Sequence, residues 1–286
     1  MKHPLLLGLL GFPLGHSSSP ALFGAAFERA GLDAEYRCFE YRDYPGLLRL
    51  GREHSRLLGL NVTLPYKKSV FQEIQNSLWN GMKSELTPEA LGCGAVNCLG
   101  FRRSPLTLDP DAALEGFWGH NTDVEGFVAA LDELCPNGVD GPALVLGNGG
   151  AAAAVIYGLQ QRRIPFGVVT RSLSPSAPYP QFLWSALDRA TVAQHPLIIQ
   201  CTPLGMEPQT DQLPPLDLQG LGSHHAVMDL VYRPQQTRFL EECQQLGART
   251  LGGLSMFRIQ AEASLRFWSQ LPGGEALRHP QLNLVV

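Results

Sequence analysis

The segment Gly147-Asn148-Gly149-Gly150-Ala151-Ala152 combines small residues at a spacing that suits phosphate binding. An apolar run, residues 143–146, precedes it and an apolar-periodic stretch, residues 151–161, follows, so the loop is expected to join a strand to a helix. In that setting Gly147 permits a tight turn, Gly149 lets a pyrophosphate approach the backbone, and Ala152 packs helix against strand. Free N–H groups at the helix start would bind the phosphates, with Asn148, Gly150 and Ala151 sharing the turn. Without those flanks the same letters describe an ordinary Gly-rich turn.

Which dinucleotide is bound is read at the end of the next strand, residues 166–170. An NAD protein usually offers Asp or Glu there to the ribose 2′-hydroxyl. This chain has Thr170-Arg171-Ser172 and no carboxylate. A guanidinium between two hydroxyls can take a 2′-phosphate by charge-assisted hydrogen bonds, which favours NADP over NAD. Taken alone, Arg171 also fits a solvated strand end.

Further candidates lie in the first half. In His16-Ser17-Ser18-Ser19-Pro20 an extended backbone points Ser17 and Ser19 to one side, where two hydroxyls could grip a carboxylate. A Ser-rich stretch before Pro is, read alone, more often a helix N-cap. Asn61-Val62-Thr63-Leu64-Pro65-Tyr66-Lys67 ends a strand and starts a helix, with Thr63 expected as N-cap and Pro65 in the first turn. Lys67 then stands near the carboxyl end of a strand, the edge at which open α/β sheets bind ligands; in isolation it is a surface lysine. Asp123, in Gly119-His120-Asn121-Thr122-Asp123, begins a helix and gains from its dipole. Hydride transfer from an alcohol must also move a proton, and Lys67 with Asp123 suits that role.

The elements that must position these residues alternate between strand and helix, the mark of a parallel α/β sheet, and do so twice. The first series has strands at 5–10, 35–40, 58–62 and 95–99, with helices near 20–30 and 44–51. Residues 101–118 lose periodicity and read as a hairpin or long excursion between domains. Val124, Phe127, Val128, Leu131 and Leu134 mark a helix with one buried face, capped by Asn121 or Thr122. The second series has strands at 143–146, 166–170, 197–200, 226–230 and 248–251, a helix at 151–161, a Pro-rich loop at 206–216 and a last helix at 255–271. The expected domains are 1–118, completed by 255–286, and 119–254.

Composition narrows the function classes. With 286 residues, 44% apolar and 17% charged, the chain suits a globular protein with a sizeable core. A formal net charge of -4 with scattered positive residues excludes a nucleic-acid or anionic-membrane surface and favours a small-molecule substrate. The apolar opening is too short to span a membrane and lacks a cleavage site. Six cysteines without a C-x-x-C pair or accompanying histidine pair make no metal site; they read as reduced, buried cytoplasmic thiols.

Taken together the segments resemble the shikimate dehydrogenase family over nearly the whole chain. Besides those above they include Gly94-Ala95-Val96-Asn97, Cys201-Thr202-Pro203-Leu204-Gly205-Met206, Asp229-Leu230-Val231-Tyr232-Arg233-Pro234, and Gly252-Gly253-Leu254-Ser255-Met256 running to Gln260. The resemblance implies two α/β domains: a mostly parallel substrate domain, and a Rossmann-type NADP domain whose last helix packs back on the first. It implies that Ser17 and Ser19 hold the substrate carboxylate, that Thr63, Asn97, Asp123 and Gln260 hold ring hydroxyls, and that Tyr232 lies on the substrate side. Lys67 is then the catalytic acid or base with Asp123, while Thr202 and Met256 join the cofactor residues, Met256 near the nicotinamide. The implied reaction is reduction of 3-dehydroshikimate by NADPH in aromatic amino acid biosynthesis, by a cytoplasmic monomer or homodimer.

The sequence departs from the family at several points: Cys98 for threonine, Gln200 and Thr170 for asparagine, Phe23-Gly24 for His-Asn, and no second basic residue close after Arg171. A quinate-preferring relative and a non-catalytic ring-acid sensor on the same fold are the alternatives.

Overall fold

Strand β1 (Leu5–Gly11) is buried from Leu6 to its end, as a strand covered on both faces must be. The computed structural model describes residues 4–15, 17–104 and 114–284, which fall into two units. One runs to Thr122 and resumes at Gln260; the other is Asp123–Ile259.

In the first unit β1 is followed by α1 (Ser19–Arg29), β2 (Ala34–Glu40), α2 (Leu47–Glu53), β3 (Leu57–Val62), α3 (Lys67–Trp79), β4 (Glu85–Leu86), α4 (Pro88–Cys93), β5 (Cys98–Arg103) and β6 (Leu114–His120). The sheet order is β2-β1-β3-β5-β6-β4. Pairing is parallel from β2 through β1 to β3 and again between β4 and β6. Among the described strands only β5 runs antiparallel to both its neighbours. That reversal brings the start of β5 and the end of β6 to the edge where β1 and β3 end, and the register Asn61 to Cys98 to His120 records it.

One face of this sheet is sealed by Leu10, Leu47, Leu50, Leu60, Val70, Ile74 and Phe117. On Gly59 lies Trp268, fully buried, its Nε1 donating to the Leu99 carbonyl at 2.9 Å. A Cβ on Gly59 would collide with that indole nitrogen and with Leu99 O. Phe23, at one of the positions that depart from the family pattern, stacks on Tyr36 with ring centroids 4.2 Å apart.

The second unit holds α5 (Asp123–Leu134), β7 (Ala143–Leu146), α6 (Gly150–Gln161), β8 (Phe166–Thr170), β9 (Gln181–Leu183), α7 (Arg189–Ala193), β10 (Leu197–Gln200), β11 (Ala226–Asp229), α8 (Arg238–Gln245) and β12 (Arg249–Leu251). Helix α9 (Leu254–Ser269) follows, residues 254–259 in this unit and 260–269 in the first. The sheet order β12-β11-β10-β7-β8-β9 is parallel throughout. This is the doubly wound Rossmann-type arrangement, with its order reversing between β7 and β10. Strand alternation splits the core: Ala143 and Val145 pack with Phe127, Val155 and Leu159, while Leu144 and Leu146 pack with Val227, Phe239 and Leu240.

Strand β11 ends in Asp229, which is fully buried and accepts from Val231 N at 3.0 Å and Thr237 Oγ1 at 2.7 Å. These bonds tie the loop through Tyr232 to the N-cap of α8. Burial pushes the Asp229 carboxyl up to about 6, against the two hydrogen bonds, which act to lower it.

Several expectations from the sequence shift. Thr63 is not a cap: α3 begins at Lys67 with Tyr66 at its N-cap, and Thr63 O instead accepts from Tyr66 N at 2.9 Å in a tight turn. Of the two readings of the stretch that lost periodicity the hairpin holds: residues 101–103 end β5 and 114–118 begin β6, an antiparallel pair, while residues 105–113 lie outside those described. The strand expected at 95–99 starts only at Cys98, because the 95–97 backbone is held by Ala90, Lys67 and His120 instead. Helices α4, α7 and α8 and strands β4 and β9 carry too few apolar repeats to stand out in the sequence. Of the six thiols only Cys98, Cys135 and Cys243 are buried, and Cys38 is exposed.

Gly59→Ala is expected to lower stability by about 1–3 kcal/mol through overpacking against Trp268, whereas Gly24→Ala, in open space on α1, holds or raises it. Thermal unfolding of both variants checks the contrast. Asp229 binds its proton more tightly folded than unfolded, so its ionisation opposes folding: stability is lost as pH rises from about 4 through about 6. Urea unfolding from pH 4 to 7 is expected to show this loss, up to about 3 kcal/mol, in the native protein and a flatter profile in Asp229→Asn.

Candidate active site

In the first unit the antiparallel β5 gathers four motif segments at one sheet edge. Ser17 and Ser19 follow β1, Thr63 follows β3, Asn97 precedes β5, and Asn121-Thr122 follow β6. Backbone bonds lock the segments together: Thr63 N to Leu10 O at 2.9 Å, Phe12 N to Leu64 O at 2.9 Å, Val62 N to Asn97 O at 2.7 Å and Asn97 N to His120 O at 3.2 Å. Lys67, the first residue of α3, accepts Val96 N on its carbonyl at 3.0 Å, which ties its backbone to the segment that carries Asn97.

The serines do not cap α1 in the usual way. Ser18 occupies the N-cap position without a side-chain bond, and Ser17 Oγ accepts the Ser19 N–H at 3.3 Å. Ser17 is half-buried and Ser19 buried, while His16 lies outside the described residues. Capping therefore leaves the Ser17 and Ser19 hydroxyl protons for another acceptor.

Asn97 is 2% exposed. Its Oδ1 accepts the Thr122 N–H at 2.7 Å and its Nδ2 donates to Thr122 Oγ1 at 2.9 Å. Gln260 stands at the same place, its Oε1 3.5 Å from Thr122 Oγ1. Asn61, Thr122 and Ser264 of this network were not singled out as functional positions by sequence reasoning. A signal existed for Asn61, a lone amide inside the otherwise apolar strand β3, and for Ser264, one helical turn after Gln260.

Asp123 is the residue after this network, at the first position of α5 in the second unit, and 6% exposed. There a carboxylate is favoured by the helix dipole.

In the second unit the Gly-rich loop lies where the strand order reverses, the position at which such sheets bind ligands. Gly147 has φ +105, a conformation that favours glycine, and a Cβ there would meet Thr202 Cγ2 at 2.9 Å. Gly149 is the N-cap of α6, makes no side-chain cap bond, and faces open space. Gly150 and Ala151 open the helix, and Ala152 is buried against the core. Asn148 accepts Tyr179 Oη at 3.4 Å. A bare helix start, a backbone without Cβ and room beside it fit a pyrophosphate.

Across the switch, Gln200 builds the turn that carries Thr202. It is fully buried, accepts Thr202 N at 2.8 Å and donates to Thr202 O at 3.2 Å and Leu204 O at 3.1 Å. Thr202 Oγ1 accepts Leu204 N at 3.3 Å. Burial, and after it the Asp229 charge, push the neighbouring Cys201 thiol far up, so it is no nucleophile.

At the end of β8, Thr170 donates its hydroxyl proton to Ser172 O at 3.1 Å, closing its own turn. Arg171 and Ser172 are exposed beyond it. Met256 is buried in the core beneath the sheet, and the Tyr232 ring stacks on Phe257 at 4.4 Å. No cluster of metal-binding side chains occurs among the described residues, and none of the described helices is long and apolar enough to cross a membrane.

Known proteins are similar to this chain over most of its length. A sequence profile for the shikimate dehydrogenase substrate binding domain matches residues 9–99. The shikimate dehydrogenase (NADP(+)) of Symbiobacterium thermophilum is 34% identical, over 92% of this chain and 88% of that one. The crystal structure of shikimate 5-dehydrogenase from Thermus thermophilus, in complex with NADP(H) and shikimate, is 30% identical with TM-score 0.73, covering 96% of this chain and 98% of that one. Quinate dehydrogenase from Corynebacterium glutamicum, in complex with NAD, is 26% identical with TM-score 0.76, covering 97% and 98%. With identity at this level sustained over nearly its whole length, the chain belongs to the shikimate dehydrogenase family.

Proposed function

We propose that this chain catalyses the NADP-dependent interconversion of shikimate and 3-dehydroshikimate in aromatic amino acid biosynthesis. The observation that carries the proposal is the convergence of Ser17, Ser19, Thr63, Lys67 and Asn97 at one sheet edge of the first unit. A carboxylate, several hydroxyls and one reacting oxygen need hydroxyl donors, amides and one proton-transferring group, and that edge supplies all three.

The first unit is the substrate domain in this reading. Ser17 and Ser19 hold the carboxylate through hydroxyl protons that capping does not use. Thr63, Asn97 and Gln260 hold ring hydroxyls, a role the family resemblance gives to Asp123 as well, and it gives Tyr232 to the substrate side. Lys67 gives the proton to the carbonyl oxygen in reduction and takes it back in oxidation, with Asp123 balancing its charge.

The second unit holds NADP, whose nicotinamide supplies the hydride in reduction when it is bound. Gly147, Asn148, Gly149, Gly150 and Ala151 take the pyrophosphate, and Thr202 lines the same switch point. Arg171 and Ser172 take the 2′-phosphate, with Thr170 shaping their turn. Met256 supports the nicotinamide end. Free thiols, Cys38 exposed among them, fit a reducing cytoplasm.

The assay is oxidation of shikimate followed by nicotinamide absorbance, with quinate and NAD as parallel arms. Turnover of shikimate with NADP is expected; turnover centred on quinate with NAD moves the enzyme to the quinate branch, and silence in every arm leaves a sensor. Lys67→Met is expected to cut kcat by about 100-fold or more while shikimate binding persists. Arg171→Ala is expected to raise KM for NADP at least about tenfold and leave KM for NAD unchanged, since only the 2′-phosphate is lost.

A further inference from the structure

Strand β2 lends no side chain to the proposed substrate set, yet its end is bonded to both halves of it. On one side Glu40, the last residue of β2, accepts the Leu14 N–H on Oε1 at 3.2 Å, and Leu14 O in turn accepts the Ser17 N–H at 2.9 Å. Two bonds thus lead from the strand to Ser17. Ser17 Oγ accepts the Ser19 N–H at 3.3 Å, which ties the second serine to the first. Leu14 itself is buried, so the middle of this chain of bonds is anchored by packing as well.

On the other side lie Tyr41 and Arg42, the two residues after β2. Tyr41 N donates to Gly11 O at 3.3 Å, which keeps this backbone in register with β1. The Tyr41 and Arg42 carbonyls each lie 2.7 Å from Tyr66 Oη and share its single proton. Tyr66 is 5% exposed, forms the N-cap of α3 and directly precedes Lys67. Its own N–H closes the turn on Thr63 O at 2.9 Å, so one phenol holds the turn that carries both Thr63 and Lys67.

We propose that the end of β2 sets the spacing of the substrate edge: Glu40 is a positioning residue for Ser17 and Ser19, and Tyr66 is one for Lys67. The proposal rests on the functional reading above and deepens it. A ring of fixed size presents its carboxylate and its reacting oxygen at a fixed separation, which the serine pair and the lysine must match. The carboxylate lies away from the reacting carbon, so its contacts are the same before and during reaction, and loosening them weakens binding without slowing chemistry. Lys67 acts on the proton in transfer, so a small displacement of its turn slows the chemical step instead. All these residues lie in the first unit, which leaves the dinucleotide loops untouched.

Two measurements test it. In steady-state kinetics Glu40→Ala is expected to raise KM for shikimate about fivefold at unchanged kcat, and Glu40→Gln, which keeps an acceptor oxygen, to restore the native value. Tyr66→Phe, which removes only the hydroxyl, is expected to lower kcat about tenfold with KM for shikimate changed by less than about twofold. KM for NADP stays native in all three. A native shikimate KM in Glu40→Ala, a Glu40→Gln variant as impaired as Glu40→Ala, a native kcat in Tyr66→Phe, or kcat and both KM values shifting together overturns the proposal. The second measurement needs no turnover: in nitrogen-15 NMR the Ser17 and Ser19 backbone amide signals are expected to move in Glu40→Ala and to stay in Glu40→Gln, and the Lys67 amide to move in Tyr66→Phe and to stay in Glu40→Ala. Glu40 is exposed, so its replacement leaves the core filled and the folded protein available for this comparison. A native protein silent on shikimate defeats the functional reading alone, and serine amides indifferent to Glu40→Ala defeat the positioning alone.

Discussion

A primary amide as deeply buried as Asn97 must pair its oxygen and its N–H groups or lose several kcal/mol to desolvation. The first unit is organised around meeting that demand. Thr122 serves both ends of the side chain, and the Asn97 backbone receives Val62 and reaches His120. Meeting it obliges the end of β3, the start of β5 and the end of β6 to lie at one edge, which the antiparallel course of β5 allows. The same bonds bring the Lys67 turn and the Gln260 turn of α9 alongside. A ring carrying a carboxylate and hydroxyls can then be met by fixed groups, without a reorganisation cost at each turnover.

The second unit solves a different problem with different means. A parallel sheet with helices on both faces leaves a crevice where its strand order reverses, and what fills the crevice is decided by the two loops beside it. One is kept low by Gly147, where any side chain would strike Thr202. The other is held by Gln200, whose longer side chain reaches three backbone groups of residues 202–204 and so serves in place of the family's usual asparagine. Asp229 does similar work for the loop bearing Tyr232, at the cost of a carboxylate in an apolar setting. For Gln200 and Asp229 a buried polar side chain, rather than regular secondary structure, shapes a loop at the strand ends.

Local order along the chain was enough to read the alternation of strands and helices, the Gly-rich loop after β7 and the missing carboxylate after β8. Those features depend on residues within a few positions of one another: hydrophobic period, turn chemistry and strand-end identity are all short-range. The motif segments themselves could be named, and Ser17, Ser19, Thr63, Lys67, Asn97 and Gln260 picked from them. What no spacing could supply is which segments meet. The reversal of β5 hid inside a stretch that had lost its period, and Thr63 looked like a cap because the turn before α3 has the composition of one. The network of Asn97, Thr122, Asn61 and Ser264 joins residues far apart in the chain, from 25 positions for Asn97 with Thr122 to 203 for Asn61 with Ser264. Hydrogen-bond direction is a property of the assembled pair, and it came into being only when the sheet edge and the last helix closed on the same buried amide.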